Sequence, residues 1–195
     1  MRSDMSIPRL LSILARFERR PGAQFPSLVV LTDQARGFAL NHQVQIWPRG
    51  TTMLERTYGA PPTPKPKHEA RSLRLATCTP KEARCAGLDG IHWPNKRLKY
   101  RKRSDIAGLI ETASVHSGLD IAMTCKQGIS YVLLSTAFAS RSPSARRPLG
   151  AVRVAILCRR FPDIRFFVLG GITATTAKKL LTSGAYGVAL VGFGK

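Results

Sequence analysis

Apolar positions set a rhythm along this chain. Ile7, Leu10, Leu11, Leu14 and Phe17 recur at helical spacing, with Arg9, Arg16, Arg19 and Arg20 around them. That spacing predicts an amphipathic helix over 7–20, stopped by Pro21-Gly22. Leu28 to Leu31 reads as a short buried strand ending in Thr32-Asp33, and Thr51 to Arg56 as the next. Pro61 to Pro66 (PPTPKP) must run as an extended loop. From Leu73 the pattern becomes regular. Strands are predicted at 73–76, 90–93, 112–116, 131–135, 166–169 and 188–191. Helices are predicted at 80–86, 118–126, 152–160 and 173–182, with a helical turn at 105–109. Eight strands alternating with helices imply a parallel sheet, and eight units suggest a closed (β/α)8 TIM barrel of the α/β class.

The chain's 195 residues suit one domain with a substantial core. They are few for such a barrel, so its helices must be brief. No eighth helix follows the last strand, and the helix of residues 1–22 is expected to cover that gap. The barrel itself is assigned to 23–195. An Arg-rich amphipathic start also fits a transit peptide. Asp4, Glu18 and Pro8 argue instead for a capping or surface helix.

Charge changes the picture most. Thirty-one Lys and Arg stand against 11 Asp and Glu, a net charge of +20. That balance favours anionic partners such as phosphorylated metabolites, pyrophosphate, nucleic acid or an acidic surface. One source is Lys96 to Arg103 (KRLKYRKR), read as a solvated basic loop or as phosphate attraction near a site. A nucleic-acid stripe is the lesser alternative, because no aromatic-rich binding motif accompanies it. No apolar run approaches the ~20 residues of a membrane span. Cys78, Cys85, Cys125 and Cys158 have no CxxC spacing and read as reduced thiols of a cytoplasmic protein.

The richest candidate chemistry lies between Ser130 and Gly150. A buried strand there runs into a loop of hydroxyls (Ser135, Thr136, Ser140, Ser142, Ser144) interleaved with Arg141, Arg146 and Arg147. Hydroxyls and guanidinium groups past a buried strand suit phosphate, since each donates hydrogen bonds and Arg does so bidentately. A solvated loop is the plainer reading. Val168 to Ile172 carries Gly170-Gly171 between a strand and a helix, where backbone amides also favour an anion. In (β/α)8 barrels the site lies at the C-terminal strand ends, with phosphate commonly after strands seven and eight. Those ends carry Asp33, Arg56, Cys78, Trp93, His116, Ser135, Gly170-Gly171 and Gly192. Asp33 is a helix cap or a substrate contact, His92 a core or rim residue, and Cys78 a buried thiol.

Several blocks, in order, resemble the thiamine-phosphate synthase family and its thiazole-tautomerase relatives, in particular a short alphaproteobacterial branch. Leu31-Thr32-Asp33 resembles LTD, and Arg56 to Gly59 resembles RHYG. Gly87 to His92 resembles GADGVH, and Ala113 to Ser117 contains SVHS. Ser135 to Gly150 resembles SPVFPTRSHPGARPLG. Leu169 to Ile172 and Gly184 to Ala189 fit GGI and GADGVA. The resemblance runs from about Val29 to Val191, and is good only after Leu73.

This resemblance implies a (β/α)8 barrel that joins a pyrimidine methyl diphosphate to a thiazole phosphate and releases pyrophosphate. It places Arg56 on a diphosphate-binding arginine, and Ser140 and Ser142 on phosphate-binding hydroxyls. Gly170, Gly171 and Gly192 fall on a phosphate cradle, and His116 on a proton-transfer histidine. It also implies Mg²⁺ held by two aspartates. Here the first falls on Cys78 and the second on Arg97, and a hard dication wants carboxylate oxygens. The expectation is therefore a site without a standard metal. One expectation is that Arg97 and Arg141 stabilise pyrophosphate there; the alternatives are an altered barrel that binds a phosphorylated ligand without transferring it and a thiazole-tautomerase-like enzyme using His116. The partners are small phosphorylated substrates, and a homodimer is left open.

Overall fold

The computed structural model describes residues 7–18, 26–33, 37–40, 47, 50–66, 72–102 and 106–191. Its strands run in the order β1 to β8 in a closed barrel. They are β1 (Leu28–Leu31), β2 (Thr52–Glu55), β3 (Arg74–Ala76), β4 (Gly90–Trp93), β5 (Ile110–Val115), β6 (Tyr131–Ser135), β7 (Arg165–Leu169) and β8 (Gly187–Val191). The helices are α1 (Ile7–Glu18), α2 (Pro80–Cys85), α3 (Gly118–Lys126), α4 (Gly150–Arg160) and α5 (Ala174–Leu180), with a 3-10 helix at Asn95–Tyr100. Among the described residues no helix is long and apolar enough to cross a membrane.

Two compact units make up the chain. One comprises Met1–Leu28 with Val115–Leu190, the other Val29–Ser114 with Val191–Lys195. In the first, Leu10, Leu14 and Phe17 are buried along one stripe of α1, which packs against α5. Strands β6 to β8 pair in parallel, with Leu134 opposite Val168 and Val168 opposite Val188. Their centres are wholly apolar (Val132, Leu133, Phe166, Phe167 and Val188 are buried), as a strand covered on both faces requires. A cluster of Tyr131, Phe167 and Tyr186, with ring centroids 5.4–6.5 Å apart, consolidates their starts.

In the second unit β1 to β5 pair in parallel, with Leu31 opposite Leu54, Leu54 opposite Leu75 and Ala76 opposite Ile91. Helix α2 begins on a reciprocal cap. Thr79 accepts from the Glu82 amide, and the Glu82 carboxylate accepts from the Thr79 amide at 2.7 Å.

Two sequence expectations need correction. The basic run at 96–103 is not a plain solvated loop. Its first half is the 3-10 helix, pinned by buried Leu98. The Arg101 side chain, 3% exposed, is drawn under the surface by a bidentate pair with Glu111 at 2.6 and 2.7 Å. The expected helical turn at 105–109 is a simple turn at Ala107-Gly108, and Asp105 lies outside the described residues.

Candidate functional site

Polar side chains gather at the C-terminal strand ends, and each unit presents its own set. In the second unit the set is built outward from β1. Asp33 is 2% exposed and forms a two-bond bridge with Phe38. Its carboxylate meets the Arg56 guanidinium at 3.4 Å, and Thr32 Oγ1 accepts from the Arg56 amide at 3.2 Å. Asp33 thus orients Arg56 instead of lying open to a ligand.

Next along the sheet, Thr57 and Thr77 interlock. The Thr57 amide donates to Thr77 Oγ1 at 2.9 Å, and Thr57 Oγ1 donates to the Thr77 carbonyl at 2.7 Å. That same carbonyl accepts from Arg97 Nη1 at 3.3 Å. Thr77 therefore ties the end of β2 to the start of the 3-10 helix. The sequence reading missed it. The available signal was a hydroxyl residue just past each of two neighbouring strands.

Cys78 follows Thr77 and is buried. Burial, with Glu82 and Glu55 nearby, pushes its thiol up to about 11, against the lowering effect of Arg97. A protonated thiol is neither a nucleophile nor a ligand for a hard cation. Among the described residues no group of three or more His, Cys, Asp or Glu side chains could hold a metal ion. The residues on which the family's two metal-binding aspartates would fall are thus a protonated thiol and a guanidinium, and they do not fit Mg²⁺.

His92 occupies β4 as a core residue. Its Nδ1 lies 2.8 Å from Thr112 Oγ1 and its Nε2 lies 2.7 Å from Ser114 Oγ, both on β5. Burial, helped by the Arg56 charge, pulls its pKa down to about 3, so the ring is neutral. Trp93, next in the strand, points to the opposite face. There its indole donates to Glu111 at 2.7 Å.

In the first unit the set begins with His116, immediately after β5. Its amide donates to Asp120 Oδ2 at 2.9 Å, which fixes the residue onto the first turn of α3. Its Nδ1 lies 3.1 Å from the Ser135 carbonyl oxygen and 3.0 Å from Ser135 Oγ. A carbonyl only accepts, so a proton on Nδ1 satisfies it. The Ser135 hydroxyl can accept from a protonated Nδ1 or donate to an unprotonated one, so Ser135 holds the ring by Nδ1 in either tautomer.

Beyond β6, the loop first follows β7. The Ala137 amide donates to the Leu169 carbonyl at 2.9 Å, and the Phe138 amide to the Gly170 carbonyl at 3.0 Å. Thr136 holds the loop's returning end. Its Oγ1 accepts from the Arg146 amide at 2.9 Å and its carbonyl from the Leu149 amide at 3.0 Å. Thr136 is therefore committed to loop closure. Ser140 Oγ accepts from the Ser142 amide at 3.3 Å, and the Ser142 and Ser144 hydroxyls lie 3.0 Å apart. Arg141 is exposed beside them.

The glycine pair has a steric cause. Gly170 and Gly171 have φ of +102° and +62°. A Cβ on Gly170 would fall 2.8 Å from Thr136 Cγ2, and one on Gly171 would collide with the Ala139 carbonyl. No hydrogen bond joins the amides of Gly170 or Gly171 to another described residue. Gly192, expected to complete this cradle, lies outside the described residues, as do His42 and His68.

These strand-end sets stand on a chain with informative relatives. Residues 80–192 match the family described as thiamine monophosphate synthase. The thiamine-phosphate synthase of Synechococcus sp. (strain WH7803) is 30% identical over 126 residues. That stretch covers 64% of this chain but only 35% of that protein, so the chain spans about a third of this relative's length. The thiamine phosphate pyrophosphorylase of Pyrococcus furiosus superposes with a TM-score of 0.63 at 19% identity, covering 85% of each chain. A flavocytochrome b2 variant with sulfite bound superposes with a TM-score of 0.57 at 14% identity, covering 85% of this chain and 56% of that one. At such identities the superpositions speak for the barrel alone. The sequence match spans more than half of the chain, from α2 through β8, and on that ground the chain belongs to the thiamine monophosphate synthase family.

Proposed function

We propose that this chain is a thiamine-phosphate synthase-like transferase of thiamine biosynthesis. It would join a pyrimidine methyl diphosphate to a thiazole phosphate and release pyrophosphate. The observation that carries this reading is the family match over residues 80–192, which contains His116, the Ser135–Gly150 loop and the glycine pair. Such chemistry needs groups that stabilise negative charge as it develops on a departing diphosphate. Arg56, held by buried Asp33, is suited to that task in the second unit. In the first unit, the amides of Gly170 and Gly171, which bond to no described residue, and the hydroxyls of Ser140 and Ser142 suit a phosphate monoester. The test is formation of thiamine phosphate from the two substrates by the purified chain. Arg56→Ala should lower kcat/KM about 100-fold, the weight of a lost charge-stabilising donor. A wild-type chain that forms no product under any metal condition would refute the reading.

One arrangement favours a second reading. Ser135 holds the His116 ring through Nδ1, and a positioned imidazole suits a proton transfer of the thiazole-tautomerase kind. His116→Ala separates the two. Loss of thiazole isomerisation with intact ligand binding supports the tautomerase. Unchanged isomerisation eliminates it.

A further inference from the structure

Beside the ends of β3 and β4, the second unit carries a pocket of about 790 Å³. Four cations, Lys81, Arg84, Arg97 and Lys102, line it together with Trp93 and Tyr100, and no carboxylate among the described residues does. The neighbouring carboxylates have other tasks. Glu82 caps α2, accepting from the Thr79 amide and hydroxyl at 2.7 Å each. Glu111 accepts from Arg101 and from the Trp93 indole. Arg97 is not a swinging surface side chain, because the Thr77 carbonyl holds one arm of its guanidinium at 3.3 Å. A fixed planar fork among further cations matches a phosphate group and repels a dication.

We infer that this pocket binds pyrophosphate directly through Arg97 and its flanking cations, without a divalent metal. The inference rests on the substrate class proposed above, and it departs from the metal-dependent pattern that the family resemblance implies. Arg97 stands on one of the two positions where that pattern has an aspartate. Its charge takes over the neutralisation a bound cation supplies, and its fork adds directional hydrogen bonds that a spherical ion lacks.

Calorimetric titration of the full chain with inorganic pyrophosphate, first in excess EDTA and then in Mg²⁺, tests this. Binding should be present in EDTA and should not tighten when Mg²⁺ is added. Arg97→Ala should weaken it at least about ten-fold, and Arg97→Lys should fall between, because the charge survives and the fork is lost. Arg153→Ala, an exposed arginine on α4 in the other unit, should bind like the wild type. Circular dichroism melts confirm that each variant is folded, and the lysine variant serves if the alanine one is not. Binding that appears only with Mg²⁺, an Arg97→Ala or folded Arg97→Lys titration that matches the wild type, or equal weakening by Arg153→Ala would each overturn the inference. Turnover measured alongside separates this from the proposed reaction. Product made only with Mg²⁺ keeps the transferase and removes the metal-free site. Metal-free pyrophosphate binding without product does the reverse.

Discussion

His92 makes acid a specific threat to this fold. The ring is 5% exposed on β4, and both nitrogens are met by hydroxyls of β5. Burial first, and the Arg56 charge second, pull its pKa from 6.5 to about 3. Between those values the unfolded chain binds a proton that the native ring refuses. Stability therefore rises with pH across that window and falls as pH drops from about 6.5 toward 3. Each pH unit inside the window is worth about 1.4 kcal/mol, so about pH 4.5 costs on the order of 3 kcal/mol relative to about pH 7.5. Urea unfolding of the wild type and His92→Gln at those two pH values isolates the effect, because the remaining titrating groups are shared. The glutamine change carries its own packing penalty, but that penalty is the same at both pH values and cancels. The wild type should lose on the order of 3 kcal/mol more than the variant on acidification. Parallel losses in the two proteins would show that the imidazole is not held neutral in the core.

Further outcomes follow from the same geometry. Arg101→Ala leaves the Glu111 carboxylate, 11% exposed, with only the Trp93 indole, and should destabilise the chain by about 3 kcal/mol in urea titration while shifting tryptophan emission. An unchanged midpoint would mean that Glu111 is solvated. Gly171→Ala combines a positive φ with a collision at the Ala139 carbonyl and should cost at least about 2 kcal/mol. A melting temperature equal to the wild type would refute the close approach of the two loops. Near pH 8, iodoacetamide should modify exposed Cys85 and spare Cys78, whose thiol stays protonated up to about 11. Early labelling of Cys78 by mass spectrometry would contradict its burial.

Much of the barrel was legible where apolar runs met strong punctuation. Leu28–Leu31 closes on Thr32-Asp33 and Gly90–Trp93 on Pro94, while Gly118–Lys126 starts after Ser117, and all three match their sequence boundaries. The 3-10 helix was not legible, because Asn95–Tyr100 has one buried apolar residue in six and its neighbours look uniformly solvated. Arg101 shows the limit most sharply. Its burial depends on Glu111, ten residues away, and no local pattern marks one arginine in KRLKYRKR as different from the next. Asp33 has the same difficulty, since its partner Arg56 lies 23 residues on. Local sequence placed candidate residues at strand ends. It could not say which would face a ligand and which would hold a neighbour.

That distinction accounts for the missing metal ligands. In a chain of charge +20, carboxylates are scarce, and most of the described ones are internal clamps. Asp33 holds Arg56, and Glu55 holds the Thr63 amide and hydroxyl. Asp89 joins Lys65 to the Arg74 amide, Glu111 holds Arg101, and Asp120 holds the His116 amide. Each of them ties two segments of the chain together through at least one carboxylate oxygen. Cys78 and Arg97 must also be considered together. Glu82 and Glu55 both disfavour negative charge at position 78, and Arg97 is the group that opposes them. A carboxylate at 78 in place of the thiol would meet that repulsion, and one at 97 in place of the guanidinium would remove its counterweight. Neither single change rebuilds a cation site. Restoring one needs both carboxylates and the cation at once, because the ion itself must then neutralise the charge that Arg97 now balances.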